Sequence, residues 1–171
     1  MKSVLRFAVI CALAMALTGL PLRGADDPYA PLWLYQGSWH EMPKGKEPFE
    51  LTNQCALIGK YFGCQQTVGG KIEALVIFVP AEQNGHYFTQ SVLPEGWATG
   101  RGELEIEGDR WTYSSKAQDG AKTIYYRTMN VFKGKDQIHY EQSESSDGKQ
   151  WTTTGSGDEM RASEAGKGAG A

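Results

Sequence analysis

The sequence predicts an all-β protein, an up-and-down antiparallel β-barrel of about ten strands. Two observations carry that prediction. Tight-turn signals recur at hairpin spacing between Trp39 and Arg161: Gly59-Lys60, Gly69-Gly70, Asn84-Gly85, Pro94-Glu95-Gly96, Gly108-Asp109, Asp119-Gly120, Gly134-Lys135 and Asp147-Gly148. Between them lie short runs rich in Val, Ile, Thr, Tyr, Phe and Trp, with no sustained helical period. Two-residue Gly, Asn or Asp loops reverse the chain and leave neighbouring strands antiparallel. A meander of this length closes on itself, because closure removes its exposed edges.

The elements follow in order. Lys2 and Arg6 precede an apolar run from Phe7 to Leu20. That run is about fourteen residues, short of the roughly twenty that a membrane span needs. Residues 1–25 therefore read as a secretory signal peptide cleaved after Gly24 or Ala25. Export to the bacterial periplasm or medium is expected, with no stable membrane span once the signal is removed. Residues 26–36 form an N-terminal cap segment in which Leu32 and Leu34 plug one end of the barrel. Gly37-Ser38-Trp39 opens the first strand, and the two prolines and two lysines of Met42 to Pro48 make a loop. Strands follow at about 49–58, 61–68, 71–80, 85–92, 97–107, 109–117, 122–133, 136–144 and 149–161. Leu104 and Ile106 alternate with Glu103, Glu105 and Glu107, the pattern of a half-buried strand with a solvated acidic face. Barrel residues span 37–162. The remainder, residues 163–171, is Gly- and Ala-rich, buries almost nothing and reads as a disordered tail.

Loss of Lys2, Arg6 and Arg23 leaves 14 basic residues against 20 acidic ones. Without a basic stripe, nucleic acid is not an expected partner.

Removing Cys11 with the signal leaves an even pair, Cys55 and Cys64, in an exported chain, which favours a disulfide. Register supports the same pairing. If Gly59-Lys60 is a two-residue loop, Ile58 faces Tyr61, Leu57 faces Phe62, and Cys55 faces Cys64. Counting outward from the turn, Cys55:Cys64 falls on a non-hydrogen-bonded pair, whose short Cα separation of ~4.5 Å suits a disulfide. The pair is not Cys-x-x-Cys and has no adjacent base, so a structural role is expected rather than a redox one.

Facing can be carried from strand to strand through the turns. If Arg161 points inward, Trp151 and Glu159 share its face. Across Asp147-Gly148, Ile138, Tyr140 and Gln142 then point inward. Across Gly134-Lys135, so do Tyr125, Arg127, Met129 and Val131. Strict two-residue pairing at Asp119-Gly120 would turn Trp111 and Tyr113 outward, so a bulged three-residue loop is expected there.

Gly37-x-Trp39 on the first strand and Arg161 on the last resemble the structural signature of the calycin superfamily, which includes the lipocalins. That resemblance implies that Trp39 sits at the closed end with Arg161 packed over it, a guanidinium on an indole face. Leu34-x-x-Gly37-x-Trp39, Ile58-Gly59-x-x-Phe62, Tyr126-Arg127 and Ser146-Asp147-Gly148-x-x-Trp151 are similar to motifs of lipocalin-like, DUF1579-type bacterial proteins. Those proteins have no general activity to carry over. Nitrobindin-like haem proteins share a barrel of this kind and need a proximal His at its mouth. None of His40, His86 and His139 lies in a matching stretch, so no cofactor is expected.

The expected function is non-catalytic binding of a small hydrophobic or amphipathic molecule inside the barrel. In this reading Arg127 anchors a ligand anion, and Tyr125, Tyr140, Gln142 and Trp151 line the cavity. The competing reading puts Arg127 on the outer face or beside Glu141, with a solid interior. A second class is an envelope interaction module with a filled barrel and an exposed patch of Tyr29, Trp33 and Tyr35. No catalytic residue is nominated. His40-Glu41 lacks the second His of a zinc motif, no metal site is expected, and Ser143, Ser145 and Ser146 have no nucleophile-elbow context.

Overall fold

The computed structural model describes residues 27–162, so the signal-peptide and tail expectations lie outside the described residues. Ten strands form one closed antiparallel barrel. They are β1 (Gly37–Pro43), β2 (Phe49–Ile58), β3 (Tyr61–Val68), β4 (Lys71–Pro80), β5 (His86–Val92), β6 (Gly102–Glu107), β7 (Arg110–Asp119), β8 (Lys122–Phe132), β9 (Gln137–Ser145) and β10 (Thr152–Arg161). Each strand pairs with its sequence neighbours, and β10 pairs with β1 to close the ring.

A short 3-10 helix, Ala30–Tyr35, covers one end. Its Leu32 and Tyr35, with Tyr29 just before it, are buried against Trp39, Phe62, Tyr87, Trp111 and Phe132. The ring of Tyr29 stacks 5.6 Å from Phe62, and Trp111 meets Phe132 at 4.7 Å. Burying a large apolar side chain of this kind contributes about 1.5–3 kcal/mol.

Arg161 clasps this end. Its guanidinium lies 4.1 Å over the Trp39 ring. It donates from Nε to Lys135 O at 2.9 Å, from Nη1 to Gln36 O at 2.6 Å and from Nη2 to Leu34 O at 2.7 Å. A β-carbon at position 37 would sit 3.0 Å from Arg161 Nη1 and would need the positive φ of 116° that Gly37 adopts. Glycine is required there by both space and backbone. The indole N–H of Trp39 donates to Tyr35 O at 3.1 Å, tying the helix to β1.

The Cys55–Cys64 disulfide is present, with Cα atoms 4.0 Å apart. Register across β2 and β3 runs from Ile58 opposite Tyr61 to Cys55 opposite Cys64, as the two-residue Gly59-Lys60 loop requires.

Four local details differ from the sequence reading. First, the β8–β9 loop holds three residues. Phe132 pairs with Ile138, and Lys133 donates its N–H to Gln137 O at 2.8 Å, leaving Gly134, Lys135 and Asp136 in the loop. Second, the β7–β8 loop is an unbulged pair, Gly120-Ala121, because Asp119 pairs with Lys122. Third, β10 starts at Thr152 and carries a register shift between Thr153 and Gly155. Asp147 Oδ1 accepts the N–H groups of Lys149 and Gln150, and Ser145 Oγ accepts that of Gly148. These side chains take backbone donors that a strand ladder would use. Fourth, β6 begins at Gly102 rather than near 97. Residues 93–101 form a loop in which Leu93 donates to Trp97 O and Thr99 donates to Ser91 O, both at 2.8 Å.

Candidate functional site

Beneath the open end the barrel is hollow. The cavity has a volume of about 640 Å³, within the ~300–1,000 Å³ range of small-molecule sites. Its upper wall is polar, with Thr89, Ser91 and Thr99 on one side and Ser115, Tyr126, Thr128 and Gln142 on the other. Leu51, Cys64, Val76 and Phe78 form an apolar flank. Tyr35, Glu41, Tyr113, Asn130, Tyr140 and Glu159 reach its deeper part.

The strands explain why these side chains converge. Alternation along β8 sends Tyr126, Thr128 and Asn130 inward. Their partners on β7 are Ser115, Tyr113 and Trp111, so both strands present the same face to the interior. On β9 the inward residues are Ile138, Tyr140 and Gln142. Tyr140 lies opposite Gly157 of β10. A β-carbon on Gly157 would come within 2.9 Å of the Tyr140 ring and 2.7 Å of Met42 O, so glycine makes room for that phenol.

Two carboxyl groups meet at the seam between β1 and β10, where Glu41 is directly opposite Glu159. Glu159 is 4% exposed, and its Oε2 has no hydrogen-bond partner among the described residues. Burial, reinforced by the negative charge of Glu41, pushes the Glu159 carboxyl up to about 8. Burial also raises Glu41, with the Tyr140 hydroxyl and Lys46 pulling the other way. Burial raises the phenols of Tyr35, Tyr113 and Tyr140, so each remains a neutral hydroxyl. The amide oxygen of Asn53 accepts from Gln66 Nε2 at 3.0 Å, whereas its own Nδ2 is buried with no hydrogen-bond partner among the described residues.

Two of the five residues expected to line the cavity, Tyr140 and Gln142, do so. Tyr125, Arg127 and Trp151 do not. Tyr125 and Arg127 alternate with the inward Tyr126 and Thr128, so they lie on the outer face. The Arg127 guanidinium covers the Trp151 ring at 4.3 Å on that outside surface. The cause is the three-residue β8–β9 loop, which inverts the facing carried across a two-residue loop. The same inversion places Trp111 and Tyr113 inward without a bulge in the preceding hairpin. The register shift after Thr153 separates Trp151 from Glu159, which the sequence reading had placed on one face.

Sequence reasoning missed Glu41 and Glu159. In the sequence Glu41 stands out only as half of an incomplete zinc motif. The facing argument puts Glu159 inward without a role, and an acidic residue two positions before an inward Arg is the signal that could have found it.

Elsewhere the chemistry is sparse. Among the described residues no group of three or more His, Cys, Asp or Glu side chains is placed to hold a metal ion. His86 lies 3.2 Å from Glu105 and His139 lies 3.0 Å from Asp158, and no histidine among the described residues lines the cavity. Tyr29 and Tyr35 are buried plug residues rather than an exposed patch, while Trp33 is 39% exposed and meets Phe62 edge-on. No helix among the described residues is long and apolar enough to cross a membrane.

No family model matches the chain, and no curated protein matches it. Three solved chains match. One, the crystal structure of Rv2717c from M. tuberculosis, is 16% identical, covers 82% of this chain and 100% of its own, and superposes with a TM-score of 0.49.

Proposed function

We propose that this protein is an exported, lipocalin-like barrel of the calycin type, related to the DUF1579-type proteins, that binds a small amphipathic molecule without transforming it. The observation that carries the reading is the cavity of about 640 Å³ with an apolar flank and a polar depth. A barrel that served only as a scaffold gains stability by filling its interior, because voids forfeit packing. The Arg161–Trp39 clasp supports the calycin-type relationship, and the Cys55–Cys64 bridge supports export to an oxidising compartment.

Native mass spectrometry of the protein purified from its own host tests the reading. A reproducible small-molecule adduct, lost when Thr128→Trp fills the cavity, is the expected result. Repeated absence of an adduct, together with no binding of any alkyl probe to the refolded protein, would overturn it.

A further inference from the structure

The paired carboxyls give the cavity a preference that its shape alone does not. Resting on the ligand-binding reading, we infer that the ligand is an organic cation, a primary amine or similar ammonium group on an apolar body, with its head seated between Glu159 and Glu41.

Four observations converge on this class. Glu159 is almost fully buried, lines the cavity, and has one carboxyl oxygen without a partner among the described residues. A buried unpaired acceptor is costly, and a ligand that donates to it recovers that cost. Glu41 stands directly opposite, so an approaching donor meets two acceptors from adjacent strands. Among the described residues the lining contains no inward-facing cation to compete. Lys116 borders the cavity, but it pairs with the outward Tyr125 and alternates with the inward Ser115 and Ala117. The hydroxyls of Tyr35, Tyr113 and Tyr140 reach the same region of the cavity, where they can accept the remaining N–H groups of an ammonium.

An anionic head would meet two carboxyls at this depth and is disfavoured. A bare divalent ion is also a poor fit. Calcium takes about six to eight oxygen ligands, and no cluster of three acidic or histidine side chains is present among the described residues. Leu51, Val76 and Phe78 supply an apolar wall that an inorganic ion would not use but an alkyl or aryl body would.

Binding should also carry a proton signature. An ammonium next to Glu159 favours its carboxylate, so the group gives up its proton as the ligand enters. The groups whose charge bears on this exchange are Glu41, Lys46, Tyr35, Tyr113, Tyr140 and Asp158. Burial keeps the phenols neutral, and Glu159, pushed up to about 8, is the group whose proton the ligand displaces.

The test compares three probes of equal chain length, decylammonium, decanol and decanoate, by calorimetry on the refolded full barrel. Decylammonium is expected to bind about tenfold or more tighter than either of the others. Its affinity should rise between about pH 6 and pH 8, with proton release seen as a dependence on buffer ionisation heat. Glu159→Gln should abolish both the preference and the pH dependence, with near-ultraviolet circular dichroism checking that the variant is folded. Equal binding of all three probes, or a preference for decanoate, would overturn the cation assignment and leave the ligand-binding reading standing. Failure of all three to bind would overturn both. Competition by calcium chloride but not by sodium chloride at equal ionic strength would point to a metal instead and reject the organic cation.

Discussion

Glu159 of the last strand stands directly opposite Glu41 of the first, and the barrel closes across this pair of like charges. The arrangement opposes closure whenever both groups are ionised. In the folded protein Glu159 titrates near 8, against 4.5 for an unperturbed glutamate. The folded state therefore keeps a proton that the unfolded chain has already released. Between those two values the unfolded state binds fewer protons, so stability falls as pH rises, by up to ~1.4 kcal/mol per pH unit. Urea unfolding at pH 5, 7 and 9 should show a midpoint that declines over this interval. Glu159→Gln should flatten the profile and exceed the parent by ~2–3 kcal/mol at the alkaline end. A parent profile that rises from pH 5 to pH 8 would contradict the assignment.

The clasp, two residues along the same seam at Trp39 and Arg161, makes a second prediction. Arg161→Leu removes three hydrogen bonds to carbonyl oxygens and the stacking on Trp39. Hydrogen bonds from a charged donor contribute ~1.5–3 kcal/mol each when well formed, and their losses are not additive. A total cost of about 3–4 kcal/mol is expected. Arg161→Lys should recover less than half, because an ammonium cannot span three carbonyls and an indole face at once. Chemical denaturation measures both variants, and a cost below ~1 kcal/mol for Arg161→Leu would remove the clasp from the stability account.

Neighbouring positions on β8 should behave in opposite ways. Thr128→Trp projects into the cavity and should reduce probe affinity by roughly a hundredfold or more by occupying ligand space. Arg127→Leu, one residue away, should leave binding unchanged and cost about 0.5–1 kcal/mol through loss of the half-buried stacking on Trp151. Fluorescence titration with an environment-sensitive alkyl probe reads both. Loss of binding in Arg127→Leu with Thr128→Trp unaffected would invert the facing of the strand.

The disulfide has a thermodynamic role and a geometric one. Replacing both Cys55 and Cys64 with Ala opens a loop of sequence separation 9 and should cost ~2–3 kcal/mol. Because Cys64 also borders the cavity, the double variant should shift probe affinity by a few-fold. Unchanged stability under reducing conditions would show that register is fixed by the Gly59-Lys60 turn alone.

Much of this architecture was legible because turn chemistry is local. Gly59-Lys60, Gly69-Gly70 and Gly108-Asp109 each sit where a two-residue loop is found, and from the first of them the Cys55–Cys64 pairing followed by counting. The site was harder because facing is a parity and every loop length enters it. Gly134-Lys135 reads equally well as a whole loop or as the start of a three-residue loop ending at Asp136, and that single residue decides whether Arg127 or Thr128 points inward. The shift between Thr153 and Gly155 leaves no side-chain signal beyond the glycine itself. Tyr140 and Gln142 were placed correctly, although the hairpin on either side of β9 departs from two-residue geometry.

The clasp joins residues that are very far apart along the chain. Arg161 donates to carbonyls 125 and 127 residues earlier, at Gln36 and Leu34. A growing or refolding polypeptide can form every hairpin in turn, yet it cannot make these bonds until its last strand arrives. Such non-local closure slows folding, towards the millisecond-to-second range of β-barrels. Until then the plug aromatics and the free edges of β1 and β10 are open to other chains. The ring that leaves the finished protein without edges is thus completed last, and the interval before completion is when the chain is most exposed to aggregation.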